Sequence, residues 1–280
     1  MPELPEVETV RRELAPWLGG RTVLTAERLA PPGPKYRDLE RSVGQTICAV
    51  TRRGKFLVLP LSRGDELIVH LGMTGVVSQA APAPGEAVYE RVRLRLSGGP
   101  PDTLHFRDAR RFGRFLVVPA GDYAGLPTLA AMGPEPLSDA FTPAGFRRAL
   151  AHSAVAVKAY LLSQRPVAGV GNIYADEALW RARIHPETPA KQVSAVKAAA
   201  LHAAIREVLE ASLEAQGTTL NDYRTVNGEV GAYLEQLAAY GHAEEPCPRC
   251  GTPLRRIVVG QRGTVYCPRC QRRRRAVRPA

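Results

Sequence analysis

Four of the five cysteines fall as Cys247-Pro-Arg-Cys250 and Cys267-Pro-Arg-Cys270, two C-x2-C knuckles separated by sixteen residues. Two such knuckles joined by a hairpin place four thiolates tetrahedrally around Zn²⁺. The segment is too short to bury a core of its own. A bound metal would therefore supply its folding free energy, on the order of 10 kcal/mol or more. Paired disulfides or a redox C-x-x-C are the alternatives, and duplicated knuckles in a cytoplasmic chain argue against both. Between the knuckles, Arg255 to Val259 and Thr264 to Tyr266 read as short strands. Gly260-Gln261-Arg262-Gly263 has turn chemistry and puts Arg262 near the hairpin tip. One structural Zn²⁺ on Cys247, Cys250, Cys267 and Cys270 is expected. Cys48 stands alone between Ile47 and Ala49 and reads as a buried small apolar residue.

The net charge of +11 is concentrated at the same end, where residues 246–280 hold ten Arg and no Lys, Asp or Glu. Residues 131–245, by contrast, carry 10 basic against 13 acidic side chains. A basic end points to a polyanionic partner, with phosphate the favoured anion. For Gln271 to Ala280 a solvated tail is an equal reading. With 280 residues, 45% of them hydrophobic, the chain can bury a large core, which excludes disorder. No run of 18 apolar residues is present, so no transmembrane helix is expected. The start, Met1-Pro2-Glu3-Leu4-Pro5-Glu6, is acidic and proline-rich, unlike a secretory peptide. A cytoplasmic, nucleoid-associated protein is expected.

Glu3 to Leu18 reads as a helix with Pro5 in its first turn and Gly19-Gly20 as its stop. Residues 20–120 read as β structure, with Arg91 to Leu96 alternating and Phe56 to Leu61 and Glu66 to Leu71 more continuously apolar. Gly/Pro clusters at 31–34, 82–85 and 98–101 give the spacing of a sandwich or barrel. Beyond Gly133-Pro134 the pattern turns helical. Thr142 caps a helix to Ala151, Asn172 caps Ile173 to Arg183, and Val193 to Ala215 is the longest helix, with Gly217 at its end. The domains expected are a β domain with its N-terminal helix over 1–130, a helical domain over 131–240, a zinc ribbon over 241–272 and a basic tail over 273–280.

Pro2 is the residue with unusual chemistry. Removal of Met1 would free a secondary α-amine, whose class has a pKa of about 7.7–8.0 against about 10.4 for Lys. Such an amine attacks an aldehyde-like carbon and gives an iminium, an electron sink that needs no cofactor. Glu3 and Glu6 lie within one turn of it. A plain helix start with acids matched to the macrodipole explains the same residues. Lys55, in a basic cluster at a strand turn, reads as easily as a solvated turn. The glycines of His70-Leu-Gly-Met-Thr-Gly75 permit a sharp turn or a close approach, with Met73 either a probe or core. Asp108-Ala-Arg-Arg-Phe-Gly113 puts cations and an aromatic on a loop, the means of wedging a duplex and filling the gap left by an extruded base, or else a solvated hairpin. Gln164 to Asn172 leads Gly-rich backbone into a helix N-terminus suited to phosphate.

In chain order, Pro-Glu-Leu-Pro-Glu-Val-Glu-Thr at 2–9, the Lys55 turn, the two motifs ending at Gly75 and Gly113, Gly169-Val-Gly-Asn-Ile-Tyr-Ala-Asp-Glu177 and the four-Cys ribbon resemble the bacterial formamidopyrimidine-DNA glycosylases. The resemblance spans residues 2–270. It implies an α+β multidomain fold, in which a β-sandwich with flanking helices precedes a helix–two-turn–helix domain and a zinc ribbon. It also implies a monomeric bifunctional glycosylase and AP lyase. Such an enzyme removes 8-oxoguanine and formamidopyrimidines from duplex DNA and cleaves the abasic site by β,δ-elimination. By this resemblance Pro2 is the nucleophile at C1′, Glu3 the acid that assists ring opening, and Lys55 an assistant to both steps. Arg262 contacts phosphate and assists δ-elimination. Met73, Arg110 and Phe112 fill the void. Lys158 and Asn172 touch phosphate, Glu6, Tyr89 and Tyr240 join the DNA-contacting set, and Gly217 to Arg224 cover the flipped base.

Tyr89 stands where many relatives carry His, and Ala154 where some carry a basic residue. Arg272 to Arg275 have no family role. Two rival readings remain. One is an endonuclease VIII type acting on oxidised pyrimidines, against which Leu4 speaks; the other is a non-catalytic zinc-ribbon DNA-binding protein.

Overall fold

The computed structural model describes residues 2–215, 217–218 and 233–273. Two compact units form, Met1–Ala130 with Leu213–Leu234 and Ala131–Ser212 with Glu235–Ala280.

The first unit opens with α1 (Leu4–Leu18), capped at Glu3 by a capping box in which Glu3 and Glu6 exchange side-chain to backbone hydrogen bonds. Nine strands follow: β1 (Val23–Arg28), β2 (Tyr36–Arg37), β3 (Thr51–Arg53), β4 (Phe56–Pro60), β5 (Asp65–His70), β6 (Gly75–Ser78), β7 (Glu90–Leu96), β8 (Thr103–Asp108) and β9 (Arg114–Pro119). A short α2 (Pro127–Ala130) ends the run. The strands make a four-stranded sheet, β1-β7-β8-β6, and a five-stranded sheet, β2-β9-β5-β4-β3. Only β2 pairs in parallel, with β9; every other pairing within the two sheets is antiparallel. One core joins them, with Leu57, Leu67 and Phe115 from the larger sheet, Leu94 and Phe106 from the smaller, and Val10, Leu14 and Trp17 from α1. The continuously apolar stretches have a structural reason. Val58 and Ile68 are also buried, on the faces of β4 and β5 opposite Leu57 and Leu67, so both faces of these strands exclude water. The expected sandwich is thus present.

Cys48 departs from expectation. It is exposed, because the extended chain here alternates: Ile47, fully buried, points into the core and Cys48 points away.

The second unit carries α3 (Pro143–Ala151), α4 (Val157–Leu162), α5 (Asn172–Arg181) and α6, which runs Ala195–Glu214. Thr142 caps α3 by accepting from Gly145 N at 3.1 Å, as its position predicts. Asn172 is not a cap. Gly171 occupies that position, and Asn172 begins the helix. The ribbon hairpin pairs β10 (Arg255–Val259) with β11 (Arg262–Tyr266). Its turn is tighter than the four residues expected, because Gly260 and Gln261 both take positive φ, 56° and 62°, which closes a two-residue loop.

In the first unit, two turns meet backbone to backbone. Gly72 has φ +64°, and a Cβ there would lie 2.4 Å from Gly113 N. Gly20 also has positive φ, +81°, but no neighbour within 4 Å. Gly72→Ala is therefore expected to cost at least about 2 kcal/mol, strain plus overlap, against about 1 kcal/mol for Gly20→Ala. Thermal unfolding of the two variants measures the difference; equal losses would refute the close approach.

Candidate active site and metal centre

Pro2 is buried at the head of α1, next to Glu3, which is 2% exposed. Two bonds from the Glu6 carboxylate hold this end of the chain. Oε2 accepts from Glu3 N at 2.8 Å, and Oε1 accepts from Thr218 N at 2.7 Å. Gly217 is required beside it, since it has φ +91° and its Cβ would lie 3.1 Å from the Glu6 side chain. Glu6, expected among the substrate contacts, is thus a support for the Pro2–Glu3 end. Met1, residues 219–224 of the expected lesion-covering loop, and Arg274 and Arg275 lie outside the described residues.

Lys55 sits in the turn between β3 and β4, 6% exposed, following Gly54 at φ 55°. Glu8 ties α1 to the strand before this turn, accepting from Arg11 and from Arg52 Nε at 3.0 Å. Burial pushes the Glu8 carboxyl up, but the Arg11 and Arg52 hydrogen bonds outweigh it and hold the pKa at about 2. The N-terminal residues and Lys55 are thereby fixed to one framework.

His70 ends β5 and packs against Phe56 with the rings tilted by 50°, centroids 4.6 Å apart. Burial, the Lys55 ammonium and Arg114 push its pKa down to about 4, against a pull from Asp108. The neutral ring accepts from Gly72 N on Nδ1 at 3.0 Å, which shapes the turn carrying Met73.

Asp108 joins that turn to the next. Fully buried, it accepts from Thr74 Oγ1 at 2.6 Å, from Gly113 N at 2.6 Å and from Tyr36 OH at 3.1 Å. Arg110 N then donates to Thr74 Oγ1 at 3.1 Å. One carboxylate thus locks the Met73 turn against the loop that presents Arg110 and Phe112. Phe112 is 49% exposed, with the Arg110 guanidinium 5.0 Å and the Lys35 ammonium 5.6 Å from its ring centre. Sequence reasoning missed Asp108; its position as the last residue of a strand just before the loop was the available signal. Tyr89 ends a short 3-10 turn and is 44% exposed.

In the second unit, Arg262 begins β11, is exposed, and pairs with Val259 across the tight turn. The hairpin rests on α4, since Gly260 would bring a Cβ to 3.1 Å from Ala159. Lys158, expected at a phosphate, lies beneath the hairpin. It is fully buried and its ammonium reaches Gly263 O at 3.2 Å, Thr264 Oγ1 at 2.8 Å and Asp176 Oδ1 at 2.6 Å. With two hydrogen bonds to the hairpin and an ion pair to Asp176, the ammonium braces the hairpin from beneath. Burial raises the Asp176 carboxyl above its ordinary range against the pull of Lys158. Asp176 Oδ2 also accepts from Val265 N at 3.0 Å. Asn172 Nδ2 donates to Gly263 O at 3.1 Å, leaving one amide proton for a further acceptor. Glu177, buried and unanticipated, accepts from the backbone N–H of Ala238, Ala239 and Tyr240 within 3.1 Å. It thereby fixes the segment carrying the half-buried Tyr240.

The four sulfurs of Cys247, Cys250, Cys267 and Cys270 lie within 4.8 Å of one another. A tetrahedron of Zn–S bonds of about 2.3 Å has S···S edges of roughly 3.8 Å, so the cluster fits Zn²⁺. N–H groups already point at the sulfurs, Trp180 Nε1 to Cys247 at 3.4 Å and Cys270 N to Cys267 at 3.3 Å. Among the described residues, Leu254, Val265, Trp180 and Ala243 make up the apolar support of the cluster, too little for a metal-free fold.

Two measurements test this geometry. Chelation should release one zinc per chain with a lowered thermal midpoint; release of none, or an unchanged midpoint, would contradict a structural metal. His70 should titrate near pH 4 by NMR, neutral at pH 5. Because unfolded His takes up its proton at about 6.5, the unfolded chain binds more protons between those values. The His70 contribution to stability therefore falls as pH drops from about 6.5 to about 4. A His70 midpoint near 6.5 would refute its burial.

Three family descriptions match the chain in succession: the formamidopyrimidine-DNA glycosylase N-terminal domain over 1–115, its H2TH domain over 132–224, and the zinc finger found in FPG and IleRS over 244–273. The Deinococcus radiodurans formamidopyrimidine-DNA glycosylase is 49% identical, with 97% of each chain covered. The crystal structure of MutM (Fpg) from Thermus thermophilus superposes with a TM-score of 0.88 at 48% identity, covering 96% of this chain and 98% of that one. Lactococcus lactis Fpg, solved in complex with DNA containing an abasic site, gives 0.84 at 34% identity over 97% and 100% of the two chains. The four cysteines are accordingly the ligands of one structural Zn²⁺. On these matches, which run nearly end to end, the chain belongs to the formamidopyrimidine-DNA glycosylase family.

Proposed function

We propose that this protein is a base-excision repair enzyme that removes oxidised purines from duplex DNA and then cleaves the strand, with Pro2 as nucleophile. The observation that carries the reading is the near full-length likeness to a family member crystallised on abasic-site DNA. The buried Pro2–Glu3 head of α1, and the Lys55 turn tied to α1 through Arg52 and Glu8, are consistent with it.

The chemistry follows from the residue types. Once Met1 is removed, the Pro2 nitrogen holds a free electron pair and attacks C1′. The damaged base departs with the electrons of the glycosidic bond and takes a proton. Glu3 delivers a proton to O4′ as the C1′–O4′ bond breaks, leaving a Pro2 iminium. The iminium acidifies C2′–H, whose loss expels the 3′ phosphate. A second elimination then expels the 5′ phosphate, and water hydrolyses the remaining iminium. The Lys55 ammonium stabilises phosphate and proton transfer nearby.

Met73, Arg110 and Phe112 suit the filling of the gap left by the extruded nucleotide, because Asp108 holds their turns in one rigid arrangement. Extrusion costs a few kcal/mol, which such wedges offset. Arg262 on its hairpin suits a phosphate. With Lys158 and Glu6 engaged internally, we assign them to support of the site. The enzyme is proposed to act as a single chain. Leu4 in place of the Gly usual in the endonuclease VIII branch favours purine lesions.

Borohydride trapping is the direct test. The Met1-processed protein should form a covalent adduct on 8-oxoguanine and abasic duplexes, and Pro2→Gly should lose at least about a hundredfold in excision rate. The reading fails if the processed protein gives no adduct, or if a Met1-retaining form traps equally well.

A further inference from the structure

Arg272 and Arg273, the first of the basic residues after the last cysteine, have no part in the function above. In the second unit they line a cavity of about 400 Å³ together with the connection between α5 and α6. Ile184 and Val193 give it an apolar floor, while Arg183, Lys197, Arg272 and Arg273 supply four cations. No acidic side chain lines it among the described residues. Arg273 pairs with Glu187 at 3.3 Å, outside the lining. The guanidinium groups of Arg183 and Arg272 have no hydrogen-bond or ion-pair partner among the described residues. Lys197 donates to Ala182 O at 2.9 Å and Arg183 O at 3.1 Å, which fixes its ammonium at the C-terminal end of α5. Burial, with a smaller push from Arg183 and Arg249, holds its pKa below the ordinary lysine value.

The backbone adds an independent observation. Arg183 follows α5 with φ +55°, the left-handed conformation that glycine usually takes at a helix end. Here an arginine occupies it and lines the cavity.

We propose that this cavity binds a nucleoside phosphate. Arg183 and Arg272 take the phosphate, and the floor of Ile184 and Val193 takes the sugar and base. The volume lies within the range of small-molecule sites, about 300–1,000 Å³, and exceeds what a lone phosphate fills. Guanidinium groups match phosphate oxygens in pairs. A free nucleotide and a nucleotide within a DNA strand offer the same chemistry.

The test is calorimetry on the full-length zinc-loaded protein with thymidine 5′-monophosphate, thymidine and the trinucleotide dTpTpT, with the His185 ring, which also lines the cavity, followed by NMR. Thymidine 5′-monophosphate should saturate one site and shift the His185 signals, and thymidine should not bind. Arg183→Gly suits its backbone position and should therefore fold; it and Arg272→Gln should each weaken binding about tenfold while lesion excision stays unchanged. Competition by dTpTpT would identify a DNA strand as the source, and its absence a free nucleotide; either supports the site. The proposal is overturned by no saturable binding at millimolar nucleotide, by equal binding of thymidine, by unmoved His185 signals, or by affinity unchanged in both variants.

Discussion

A carboxylate taken out of water costs several kcal/mol unless N–H groups, hydroxyls or cations replace its hydration. Glu6, Asp108, Asp176 and Glu177 are all at most 1% exposed, and each is repaid by neighbours distant in sequence. Glu6 binds the Pro2–Glu3 end to Thr218, and Asp108 binds the Met73 turn to the Phe112 loop. Asp176 receives Lys158 and Val265 beneath the Arg262 hairpin, and Glu177 collects three backbone N–H groups before Tyr240. Removing any one would leave its donors unpaired in the interior, a larger loss than the hydrogen bond itself.

Two of these buried anions stand behind exposed side chains, Asp108 behind the Phe112 loop and Asp176 behind the Arg262 hairpin. Phe112 and Arg262 are exposed, as groups that meet a partner must be, and their precision comes from behind. Glu6 and Lys158, expected from the family resemblance at the ligand, are both buried and bonded internally. A charged residue within a functional motif can serve by holding the residue that touches the substrate. The ribbon adopts the same logic with a metal, replacing a core it is too short to build.

Much of the architecture was legible. Pro5 and Gly19 bracket α1, Thr142 caps α3, the apolar run from Phe56 forms β4, and the alternating run from Arg91 lies within β7. Local preferences decide such elements, since caps, prolines and periodicity act over a few residues. The expectation failed where distance in sequence mattered. Cys48 faces outward because of the phase of an extended segment, and Asn172 yields the cap to Gly171. Neither Asp108 nor Glu177 announces its partners, which lie up to 72 and 63 residues away.

By itself the sequence determined the metal ligands, through the spacing of four cysteines, and the order of sandwich, helices and ribbon. It also determined the family, since the motifs stand in a specific order from Pro2 to Cys270. Only the tertiary structure decided which charged residues face solvent and which hold the frame. Burial and pairing are properties of three-dimensional neighbours, and a lysine reads the same in sequence whether it meets solvent or Asp176. The tertiary structure also gathered Arg183, Lys197 and Arg272, from separate segments, around one cavity.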